Sequence, residues 1–134
     1  MAISQDGKFL YTSSGYKIQK IDLAADTITN TILLPFNSWP IALSPDGQYA
    51  YVDGSSTFDV VDLSTGQVAN SIPVLLNVGY ISVSQNGEYA YLFGPFESSG
   101  GEIITINLNT DTVENTISLP GDTYQFTLYT PSST

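Results

Sequence analysis

The sequence predicts an all-β chain of repeated four-stranded antiparallel units. Three observations carry this. MAISQDGKFLYT, IALSPDGQYAYV and ISVSQNGEYAYL begin at residues 1, 41 and 81, so one phrase recurs with a period of 40 residues. Each copy places Asp-Gly or Asn-Gly between two hydrophobic runs, the strongest short-range hairpin signal. No segment sustains apolar spacing at i, i+3, i+4 and i+7 between caps, so no helix is expected.

Each repeat divides into four runs, a to d. Strand a is read at residues 1–4, 41–44 and 81–84. The turns Asp6-Gly7, Asp46-Gly47 and Asn86-Gly87 follow. These acids are turn formers rather than ligands, because Asp, Asn and Gly tolerate positive φ. Strand b covers 8–12, 48–52 and 88–92. Its aromatics Phe9/Tyr11, Tyr49/Tyr51 and Tyr89/Tyr91 alternate with a period of two, as strand side chains do.

Strand c covers 16–23, 58–63 and 102–108, and ends with Asp22, Asp62 and Asn107 in equivalent places. A short polar side chain there accepts hydrogen bonds from the following turn. A ring of cation-binding acids is disfavoured because the third member is Asn. In strand d, Ile28, Ile32 and Leu34 are expected on one face, with Thr27, Thr29 and Thr31 opposite. Asn30, Asn70 and Asn115 fall on the apolar side. Four antiparallel strands per 40 residues, repeated, make blades of a β-propeller.

The phrases ALSPDGQYAYV, VVDLSTGQVANSI and INLNTDTVENTI resemble the YVTN β-propeller repeat. The match covers roughly residues 1–120. The third repeat departs from it by five additional residues in FGPFESSGGE. The resemblance implies a cell-surface or extracellular protein. Related propellers include lactonase-like enzymes, so a hydrolase with an acidic site at the channel mouth is the alternative function. One fold hosts many functions, and the resemblance speaks to fold first.

Blade one is expected at 1–40, blade two at 41–80 and blade three at 81–125. Residues Phe126, Leu128 and Tyr129 align with strand a of a fourth repeat, ahead of a Ser/Thr tail at 130–134. Typical propellers close with about 4–8 blades. The expectation is therefore an incomplete propeller, or half of a six-bladed ring made by two copies head to tail. In the ring, the segment 126–129 completes the partner's first blade.

Composition narrows the function. The formal charge is -10, and the three cations, Lys8, Lys17 and Lys20, all lie in the first repeat. That balance opposes nucleic-acid phosphates and anionic membrane. No apolar run approaches the roughly 18 residues of a membrane span. The chain has neither Cys nor His. Disulfides, thiolate zinc sites and His-based triads are thereby excluded, and no cofactor is expected. Lys-rich repeat one and the acidic remainder suit head-to-tail pairing.

In propellers the d-to-a and b-to-c loops share one face, which usually lines the ligand site. These loops contain Phe36, Trp39, Tyr80, Phe96 and Tyr124, aromatics suited to protein or glycan contact. The plainer reading is that Trp39 and Tyr80 plug gaps between adjacent blades. Asp53, Glu97, Glu102 and Asp122 are the acids of that face. They are weak candidates for calcium or for a glycosidase-type pair, since no spaced motif joins them. The sequence thus favours a non-catalytic binding or scaffold module. Its expected partners are itself, the remainder of a larger propeller, or a protein or glycan.

Overall fold

A computed structural model describes residues 1–54, 56–74, 78–97 and 100–119. The expected strand at 126–129, with Tyr124 and Asp122, lies outside the described residues. The chain divides into two compact units, Met1–Leu75 and Leu76–Thr134. The first unit holds two four-stranded antiparallel sheets. Blade one is β1 (Ala2–Ile3), β2 (Phe9–Ser14), β3 (Lys17–Asp22) and β4 (Thr27–Leu33), hydrogen-bonded in that order. Blade two is β5 (Ile41–Leu43), β6 (Tyr49–Asp53), β7 (Thr57–Asp62) and β8 (Gln67–Pro73). The second unit holds β9 (Tyr80–Val83), β10 (Tyr89–Glu97), β11 (Gly100–Asn107) and β12 (Thr112–Ser118), a third sheet of the same order. No helix occurs among the described residues.

The hairpin turns are built identically three times. Ser4, Ser44 and Ser84 each donate an Oγ hydrogen bond of 2.6 Å to the Oδ1 of Asp6, Asp46 and Asn86. The same Oδ1 accepts the backbone N–H of Lys8, Gln48 or Glu88. Each serine Oγ in turn accepts the backbone N–H of Phe9, Tyr49 or Tyr89 at 3.0 Å. Gly7, Gly47 and Gly87 take φ near +73°, the region where a Cβ is penalised. At the c-to-d turns, Asp22, Asp62 and Asn107 accept the backbone N–H groups that follow them. The structural roles read for both sets of acids hold.

Strand d departs from the expected alternation. A bulge shifts register between Lys20 and Ile21, between Val60 and Val61, and between Thr105 and Ile106. Ile32 lies opposite Ile18, whereas Ile28 lies opposite Ile21 on the other face of the sheet. Ile28 and Ile32 therefore do not face one way. The extra residue, Thr29 in blade one, resets the parity, as one inserted residue in a period-two strand must. Asn30 does share its face with Ile32.

Cross-strand pairing defines two faces in each blade. On blade one, Tyr11, Ile18 and Ile32 share a face; on blade two, Ile41, Ala50, Val52 and Val61 do. These two faces, with Leu34, form one buried cluster. Phe9, Phe36, Leu43 and Val68 pack around it. Burying each Val or Ile side chain contributes about 1.5–3 kcal/mol. In blade three, Ile81, Ala90, Leu92, Phe93, Ile104 and Ile106 are buried. The described residues of FGPFESSGGE, 93–97 and 100–102, lie in the β10–β11 hairpin, with an irregularity between Gly94 and Glu97.

Candidate functional site

The residues expected at the d-to-a and b-to-c end take varied positions. Phe36 is drawn into the packing around the blade-one and blade-two core. Trp39 is 68% exposed, so it plugs no gap. Its neighbour Ser38 is buried and fixes the loop: Ser38 N–H donates to Gly15 O at 2.8 Å, and Ser13 Oγ donates to Ser38 O at 3.0 Å. Tyr80 stands in β9 opposite Phe93 and is 43% exposed. Phe96 and Glu97 close β10. Glu102, half-buried, lies opposite Gly94 in β11. Asp53, also half-buried, ends β6 opposite Phe58. No group of three or more metal-ligating acids occurs among the described residues.

A carboxylate that the sequence reading passed over is the most buried acid described. Asp59 lies in the middle of β7 and is 1% exposed. It accepts Thr57 Oγ1–H at 2.6 Å and also the hydroxyl of Ser71, its cross-strand partner on β8. Thr57 Oγ1 additionally reaches Gly54 O at 3.2 Å. Gly54 has to lack a side chain, because a Cβ there would run into the Asp59 carboxylate. The position is held by Gln19 in blade one and Ile104 in blade three, so the buried acid belongs to blade two alone. Both donors are short neutral hydroxyls from the same blade. They satisfy the carboxylate, and the arrangement reads as structural.

The opposite end of the first unit holds a cleft of about 710 Å³ between blades one and two. It lies among the a-to-b and c-to-d turns, away from the loops singled out in the sequence. Tyr11, Ile18 and Ile32 form its apolar wall. Lys20, Thr29 and Asn30 line it from blade one, and Gly47, Gln48, Asp62, Leu63 and Ser64 from blade two. A smaller hollow adjoins it through Tyr11 and Gly47, lined also by Phe9, Leu43 and Pro45. Lys20 Nζ rests 3.9 Å from the centroid of the Phe9 ring and 5.9 Å from that of Tyr11. A ring face attracts a cation and holds the flexible lysine in one place. Asp62 is held below the ordinary aspartate range, first by the Ser64 hydroxyl and then by the Ser64 N–H.

Four-stranded antiparallel blades define the class: the chain has a β-propeller fold. No known family profile matches it, and no curated protein does. Among solved structures it is similar to the hydrazine synthase of Kuenenia stuttgartiensis, with a TM-score of 0.77 and 24% identity over 88% of this chain. It is also similar to U3-55K, with a TM-score of 0.69 and 13% identity over 86% of this chain. This chain spans 34% and 37% of those two chains, about a third of each. At these identities the likeness establishes fold alone.

Proposed function

We propose that this chain is a non-catalytic propeller module whose first partner is more propeller. The observation that carries the proposal is a comparison of equivalent faces. In blade two, Leu43 and Val68 pack against the core cluster. Their equivalents in blade one, Ile3 and Ile28, are 62% and 58% exposed. Leu33, on the same face, is exposed too. On blade three, Ile117 is 47% exposed, whereas its equivalents Ile32 and Ile72 are buried. An apolar sheet face repeated in register with a covered one calls for a blade of the same kind.

Two occupants fit: a second copy, giving a six-bladed ring by head-to-tail pairing, or further blades of a longer propeller. A second copy is the occupant proposed, because head-to-tail pairing would join the exposed blade-one face of Ile3, Ile28 and Leu33 to the exposed blade-three face of Ile117. The cell-surface or extracellular setting of YVTN-type repeats supports a scaffold role there.

Light scattering tests this. A closed pair has twice the 14.4 kDa chain mass. Ile28→Lys with Leu33→Lys places two charges on the open face and should return the mass of one chain without loss of β-sheet circular dichroism. A wild-type chain that stays monodisperse at a single-chain mass up to high micromolar concentration refutes self-pairing.

A further inference from the structure

We infer that the cleft between blades one and two is a binding site for a hexuronate unit of an acidic glycan. The inference does not rest on blade pairing, because every lining residue belongs to the first unit. The volume of about 710 Å³ lies within the roughly 300–1,000 Å³ of small-ligand sites.

The chemistry of the lining sets the ligand. Lys20 has no carboxylate partner among the described residues; its ammonium contacts only the Phe9 and Tyr11 rings. The equivalent residues are Val60 in blade two and Thr105 in blade three, so this cation is particular to blade one. Asn30 is equally particular. Asn70 and Asn115, its equivalents, accept the next residue's backbone N–H through Oδ1 at 3.0 and 2.9 Å. Asn30 makes no such bond, and its amide is left to line the cleft. The Gln48 side chain is likewise without a hydrogen-bond partner. Asp62 uses Oδ1 for Ser64, which leaves Oδ2 to accept a hydroxyl.

One ammonium outside any ion pair, two amides, one spare carboxylate oxygen and an apolar wall match a sugar ring with a single carboxylate. The carboxylate meets Lys20. Hydroxyls meet Asn30, Gln48 and Asp62, since each amide offers both donor and acceptor. The C–H face of the ring lies on Leu63, the half-buried apolar residue of the lining. A phosphate, with about -1.5 to -2 charges, suits the site less than a single carboxylate, because one lysine balances one charge and the repulsion from Asp62 grows with each further one. At physiological salt the screening length is about 8 Å, so Lys20 acts on a bound carboxylate while the distant acids are largely screened.

The probe is α-1,4-linked trigalacturonate, titrated into the 15N-labelled chain at 150 mM salt. Its methyl ester serves as the uncharged counterpart of the same shape. The expected result is shifts at Tyr11 and Lys20 and at the side-chain amides of Asn30 and Gln48. Affinity should be about tenfold weaker for the ester and for Lys20→Met, which keeps the stem but loses the charged bond. Gln48→Ala, at an exposed turn, should weaken binding without touching the core. Three results overturn the inference: no shifts at 10 mM probe, equal affinity for acid and ester, or shifts that survive Lys20→Met and Gln48→Ala together. Failure here leaves the light-scattering result on blade pairing unaffected.

Discussion

Ser71→Ala is the sharpest single test of the blade-two interior. Ser71 Oγ donates to Asp59, whose other oxygen takes Thr57 Oγ1–H. Asp59 is 1% exposed, so water does not replace a lost donor. Removing one partner of a buried polar group costs about 1–3 kcal/mol, and the hole left by one oxygen adds little. The expected loss is therefore about 2 kcal/mol. For a chain of this size that lowers Tm by roughly 8 °C. The blade-one equivalent gives the matched control. Thr31 lies opposite Gln19 in the same register and is exposed, so Thr31→Ala should cost no more than about 0.5 kcal/mol. Urea and thermal unfolding followed by far-ultraviolet circular dichroism, at one protein concentration, read both. Asp59→Ala should be worse than Ser71→Ala, because it strands two hydroxyls instead of shortening one donor set. If Ser71→Ala falls within 0.5 kcal/mol of wild type, the reasoning fails: the carboxylate is then not held by the serine.

Other outcomes follow from the turns and the glycines. Asp6 and Asp46 are held below the usual aspartate value, first by the Ser4 or Ser44 hydroxyl and then by the N–H of Lys8 or Gln48. With Asp62 they are carboxylates with depressed folded values. Their contribution is complete above the unfolded value, near pH 4, and is lost as pH falls through the folded ones. Asp46→Asn keeps the acceptor, as Asn86 does in repeat three, so it should make the acid loss shallower in a pH series of urea midpoints. Gly47→Ala meets open space but positive φ, and should cost about 1–2 kcal/mol by backbone alone. Gly54→Ala drives a methyl into the Asp59 carboxylate and should cost more, although Gly54 is not at positive φ; the same unfolding curves rank the two.

The strand order and all three hairpin turns were legible because they depend on local chemistry repeated three times. Ser4, Asp6 and Gly7 form a closed set of bonds within residues 4–9, and so do their equivalents. The strand-d bulge was not legible. Its cause is one unpaired residue, and the sequence T-I-T-N-T-I at 27–32 reads as clean alternation whether or not Thr29 is paired. Asp59 was hidden for a different reason. F-D-V-V-D contains two acids, and the turn-side Asp62 has an obvious job, whereas the job of Asp59 depends on Ser71, twelve residues away, and on the missing side chain of Gly54. The extended β10–β11 hairpin escaped notice because Gly94-Pro95 and Gly100-Gly101 are turn signals, yet they lie in β10 and β11.

Comparing equivalent positions, rather than searching for motifs, separates frame from function in this chain. The frame is whatever all three repeats keep: the Ser–Asp or Ser–Asn turn, the Asp or Asn after strand c, the bulge in strand d. A residue that breaks the frame without breaking the sheet needs its own explanation. Lys20 stands where Val60 and Thr105 stand, Asn30 gives up the bond that Asn70 and Asn115 keep, and Asp59 replaces an apolar or neutral side chain. Asp59 is explained by bonds inside its own blade. Lys20 and Asn30 have no such bonds, and they line one cleft. Lys20 is half-buried in β3, between β2 and β4, and packing alone would accept a valine there as blade two does. What the valine cannot supply is a fixed positive charge above two aromatic rings, beside two unengaged amides, and that combination is what a carboxylate-bearing ligand uses.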